Sequence, residues 1–80
     1  MTLAQLKPGQ TAVVTGILSQ DEATLRMAEL GLIEGTEVRM IRKAPLGDPL
    51  AIQVLDYELC LRHAEARGIE IQPLEKKTGA

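Results

Sequence analysis

Aromatic side chains are nearly absent from this sequence, which contains no Trp, no Phe and one Tyr, at position 57. A surface that stacks nucleic-acid bases on rings is therefore excluded. Excess positive charge is missing too. Nine Lys and Arg against eleven Asp and Glu leave a formal charge of -2, which argues against the phosphate attraction that drives general nucleic-acid binding. A single Cys, Cys60, cannot close an internal disulfide, and this reads as a reducing compartment. No stretch approaches the ~18 uncharged apolar residues of a membrane span, and "MTLAQLKPGQ" lacks the basic start and apolar run of a secretion signal. The expected location is cytoplasmic.

What is present suits a small β-rich core. Eighty residues, 45% hydrophobic and dominated by Leu, Ile, Val and Ala, make one domain that buries only roughly 60% of its unfolded surface. The expected domain covers residues 1–74, with a disordered tail at 75–80. "KPGQ" places Pro8 and Gly9 at the two centres of a type II turn, where Pro fixes φ and Gly accepts φ > 0. "TAVVTGIL" (11–18) follows as a β-branched strand, with Gly16 marking a bulge. Ser19 and Glu22 then have the spacing of a capping box. Beyond them Ala23, Met27 and Leu30, and Leu25, Ala28 and Leu32, recur at helical spacing. Gly31 is expected to end the helix in the left-handed conformation, turning Leu32 back on Met27.

The rest reads as strands. Residues 35–45 set Val38 and Met40 against Glu37, Arg39 and Ile41 until Pro45 stops the ladder. Residues 50–56 put Leu50, Ile52 and Val54 on one side, and 57–63 put Leu59 and Leu61 inward with Glu58, Cys60 and Arg62 outward. Asp56 and Tyr57 are read as the tight turn between them. "HAEAR" forms one helical turn before Gly68, and Ile69 and Ile71 face inward from a last strand. Strands this short leave costly edges as an open sheet, and closure removes them. The fold class is therefore mainly β: a small five-stranded barrel with one helix inserted after the first strand.

Catalytic constellations fail. "PLGDP" has neither the glycines nor the Lys of a phosphate-binding loop. Cys60 and His63 would fall on opposite faces of an extended segment, so they make no nucleophile and base pair. As metal ligands they number two where structural zinc needs four, and would need remote carboxylates such as Glu65. No catalytic residue, cofactor site or metal site is assigned. Arg39, Arg42 and Lys43 read as a solvated strand face.

The unusual segment is "APLGDP", residues 44–49. Pro45 has its φ fixed, Asp48 is held extended by Pro49, and Gly47 takes whatever dihedral the reversal requires. The loop has lost much of its freedom before folding, and Leu46 is its apolar tip. Two readings stay open: Leu46 plugs the barrel mouth, or it projects as a knob for a partner.

"RMAELGLIEGTEVRMIRKAPLGDPLAIQV" followed by "LCLR" closely resembles the FeoA family, the small cytosolic accessory proteins of bacterial ferrous-iron uptake. The sequence departs from that pattern at Glu34, where Pro is common, and at His63 and Ala64, where Lys and an acidic residue are common. The resemblance implies an SH3-like barrel, no enzymatic activity, and a role beside the membrane GTPase permease FeoB. On this basis the partner-binding candidates are Arg26 and Leu30 on the helix, with Pro45, Leu46, Gly47 and Asp48 in the loop. The same barrel resembles the C-terminal domain of iron-dependent transcriptional repressors. That leaves an alternative, a free-standing regulatory module that binds a peptide or protein and, lacking a helix-turn-helix, no DNA. A metal-delivery role through Cys60 and His63 is the outsider.

Overall fold

The computed structural model describes residues 1–18, 22–46 and 48–74. The Ser19 cap, Gly47 and the tail 75–80 lie outside the described residues. The elements run β1 (Thr11–Ile17), α1 (Glu22–Glu29), β2 (Glu37–Lys43), β3 (Leu50–Val54), β4 (Tyr57–Leu61), α2 (His63–Ala66) and β5 (Ile69–Pro73). A 3-10 turn at Leu3–Gln5, which had no signal strong enough to read, precedes them.

Local chemistry explains most boundaries. Gln10 N–H donates to the Lys7 carbonyl at 3.0 Å, with Gly9 at φ +89, which is the type II turn that Pro8 and Gly9 favour. The strand it launches slips register between Val14 and Gly16, so the bulge falls where Gly16 placed it. Helix α1 ends in a full Schellman motif. Gly31 sits at φ +110, its N–H donates to Ala28 and the Leu32 N–H donates to Met27. This turns Leu32 into the core, where it is fully buried. Met27 and Thr24 face inward, whereas Leu25 is exposed. The stripe one helix can bury is narrow, and Leu25 falls outside it.

The strands form one antiparallel sheet in the order β4-β3-β2-β1-β5. Its inner face carries Val14, Val38, Met40, Ile52, Val54, Ile69 and Ile71, all buried, and Leu3 of the 3-10 turn and Leu6 just after it join the same core. Each such large side chain contributes about 1.5 to 3 kcal/mol on burial. A second register slip, between Met40 and Arg42, bends β2 and lets the sheet curl round this core.

Two expectations need correction. The β3–β4 turn is Leu55–Asp56, not Asp56–Tyr57: Val54 pairs with Tyr57, and Leu55 takes φ +58 to reverse the chain in two residues. The five strands make the expected small SH3-like fold, with β4 and β5 at the two ends of its hydrogen-bonded ladder. The outer edge of β5 is covered by Met1 and Thr2, through a Thr2 to Glu70 bridge and a 2.9 Å bond from Ile71 N–H to the Met1 carbonyl. Finally, the basic strand face is not simply solvated. Lys43 Nζ donates to the Ala4 carbonyl at 3.0 Å, tying the 3-10 turn to β2, and Arg42 pairs with Glu58 at 2.9 Å.

Candidate partner-binding site

Residues 44–49 join β2 to β3. The last ladder pair is Lys43 with Leu50, and the Ala44 N–H closes the loop by donating to the Pro49 carbonyl at 3.1 Å. The Asp48–Pro49 peptide is cis. A second tie comes from outside the loop. Asp48 Oδ1 accepts from the His63 N–H at 2.9 Å, which satisfies one of the amides that the first turn of α2 leaves without a helical partner. Arg62 N–H, beside it, donates to Glu65 Oε1 at 2.8 Å. Asp48 thus clasps the loop to the chain leaving β4, a structural task for a side chain singled out as partner-facing.

Leu46 stands free of the fold at 95% exposure. The plug reading needs it buried over the barrel mouth, so the structure removes that reading. Pro45 is exposed beside it, and Gly47 is outside the described residues. A shallow, mostly apolar depression of about 120 Å³ lies under the loop, lined by Arg42, Ala44, Pro49, Leu50, Ala51 and Cys60.

The six candidates fall in two groups. Arg26 is exposed on α1 and Leu30 is 39% exposed just beyond it. The helix exit at Gly31 lies against Val54, Leu55 and Tyr57, within 4 Å of where a Cβ would stand. That is the far end of β3 from Leu50, about 14 Å along the strand. The structure therefore gathers Pro45, Leu46 and Asp48 at one end of the sheet and puts Arg26 and Leu30 towards the other. Around the second group Ile33 and Leu55 are also exposed. Neither was read as a candidate, since each follows a core residue and single exposed leucines carry no pattern.

Cys60 is a free, exposed thiol in β4, and His63 opens α2. Among the described residues no three His, Cys, Asp or Glu side chains are grouped to hold a metal ion. No described helix is long and apolar enough to cross a membrane.

A model of the FeoA domain matches residues 1–73. The chain belongs to the FeoA family. FeoA proteins are non-catalytic accessory domains of ferrous-iron transport, built on the SH3-like fold seen here. Over 72 residues this FeoA chain is 31% identical to a fusion of Fe(2+) transport protein A with the Fe(2+) transporter FeoB from Porphyromonas gingivalis. That match takes in 90% of this chain but only 8% of the length of the fusion protein. The crystal structure of Stenotrophomonas maltophilia FeoA complexed with zinc is similar at 37% identity and a TM-score of 0.81, over 90% of this chain and 89% of that one. A manganese-dependent transcriptional repressor shares the fold alone, with 20% identity and a TM-score of 0.82 over 92% of this chain and 36% of the repressor.

Proposed function

We propose that this FeoA chain is an adaptor that docks on the cytosolic side of a FeoB-like ferrous-iron transporter and modulates its assembly or nucleotide cycle. The observation that carries the reading is the Porphyromonas gingivalis protein, in which an FeoA region and the FeoB transporter are one chain. Covalent linkage keeps two modules at high effective concentration, and it is useful where they act on each other. The Stenotrophomonas maltophilia relative has likewise been put forward as a ferrous-iron transport activating factor. The docking element is the β2–β3 loop with Leu46 as its apolar anchor, because a stiff loop loses little entropy when it is captured. Residues 1–74 act as one domain in this reading, in the cytoplasm. The likeness to the repressor is one of fold and supplies no functional argument.

The test compares iron uptake and GTP hydrolysis by the transporter with and without this chain. Either rate should change when the chain is added, and pull-down of the transporter should depend on the intact loop. Unchanged rates together with no capture would refute the adaptor role.

A further inference from the structure

The sheet treats its two edges differently. The outer edge of β5 is covered by Met1 and Thr2. The outer edge of β4 has no strand beside it among the described residues. The β3–β4 ladder is regular from Val54–Tyr57 to Leu50–Leu61, without the bulge that would twist the edge away. Tyr57–Leu61 also carries no Pro and no Lys, the residues that commonly protect such an edge.

The turn fixes which backbone groups are free. In a two-residue hairpin the closing pair, Val54 with Tyr57, exchanges both hydrogen bonds, and such pairs alternate along the ladder. Ile52 with Leu59 and Leu50 with Leu61 are therefore bonded pairs. The N–H and C=O of Glu58 and Cys60 point away from β3. Arg62 cannot extend the row, because its N–H is taken by Glu65 Oε1 and its carbonyl by the N–H groups of Glu65 and Ala66.

From this geometry we infer that β4 is a strand-addition site, filled by a short extended segment of the transporter. The inference rests on the adaptor reading above and gives it a second contact surface. The edge ends beside the loop that carries Leu46, since Asp48 binds the His63 N–H at the exit of β4. One polypeptide can thus pair with β4 and meet the loop together. On the outer face the added strand passes the apolar depression beside Cys60, so it carries a small apolar residue there. Opposite half-buried Leu59 it carries a second apolar residue. Glu58 is neutralised by Arg42 and opposes no approach. A second copy of this chain is the weaker occupant. Two residues offer only four backbone groups, far short of the area that holds two free copies together, whereas a partner that also grips the loop, or is covalently joined, needs no more.

The test uses the full chain and the purified transporter, with Cys60→Pro and Cys60→Ser. At Cys60 the lost N–H faces outward, so Pro spares the β3–β4 ladder while blocking an added strand. Cys60→Pro should melt near wild type yet bind the transporter about tenfold or more weakly, and Cys60→Ser should bind as wild type does. Independently of any variant, amide exchange at Glu58 and Cys60 should slow when wild type binds. Equal binding by Cys60→Pro, or no added protection in a complex that does form, would overturn the inference while sparing the adaptor role. Failure of wild type to bind at all would instead overturn the adaptor reading beneath it. A concentration-dependent dimer that protects the same amides without transporter would make the occupant a second copy and overturn the assignment.

Discussion

Replacing Leu46 with Gln separates what the loop does for the fold from what it does for a partner. At 95% exposure the side chain buries almost nothing in the free chain, so the change should cost under ~0.5 kcal/mol. For a domain of this size that is a melting shift below roughly 4 °C. If a partner buries the side chain fully, its removal forfeits about 1.5 to 3 kcal/mol of apolar transfer. In binding terms this is a roughly 10- to 150-fold rise in Kd. The Gln amide pushes the loss towards the upper end, because it must be stripped of water to enter an apolar pocket. The assay pairs thermal denaturation of the purified variant with calorimetric titration against the transporter. A Kd within about twofold of wild type, at unchanged stability, would refute the anchor. A melting drop of about 8 °C or more would show that Leu46 packs against the fold in solution, contrary to its position here.

Gly31→Ala should destabilise by about 1 to 3 kcal/mol, since L residues rarely adopt φ +110 and the new Cβ would stand 3.1 Å from the Tyr57 hydroxyl. Thermal melts of this variant with and without Tyr57→Phe apportion the cost, and the backbone share should persist in both. Asp48→Ala should cost about 1 kcal/mol, as loss of a helix cap does, with Asp48→Asn retaining most of the stability because its amide oxygen still accepts from His63. Urea titration of the three proteins checks the order. Arg42→Ala should change stability by less than ~1 kcal/mol, because the pair with Glu58 is exposed, and the difference should shrink in 1 M salt when melts are repeated there. The purified chain should bind no GTP, and saturable heat on calorimetric titration would remove the pure adaptor.

Elements announced by local chemistry were legible in the sequence. Pro8 and Gly9 set their turn, Gly16 its bulge, and Gly31 with Leu32 a helix exit, because each depends on dihedrals of neighbouring residues. What was not legible depends on distant pairing. Asp48 meets His63 across 15 residues, and Lys43 reaches Ala4 across 39, so neither contact leaves a trace in spacing. The turn at Leu55 was misplaced because Leu is a poor candidate for φ > 0, and the register of β3 on β4 overrode its preference. For the candidate site, the place of the loop between two strands was readable from its prolines. Its separation from Arg26 and Leu30 was not, since that follows from which end of β3 each element reaches.

The place of β1, between β2 and β5, bears on the order in which the domain can be made. β2, β3 and β4 are joined by short connections and form a meander of near neighbours, the kind of pairing that closes quickly. The ladder of β1 with β5 joins the two ends of the sequence, Ala12 facing Pro73 and Ile17 facing Ile69. A growing chain released as far as β4 therefore holds four strands but leaves one flank of β1 unpaired and Val14 without Ile71 to pack on. Consolidation waits for the last strand to leave the ribosome. Truncations just before Ile69 should accordingly be aggregation-prone, since they expose a flank of β1 that β5 covers in the folded protein.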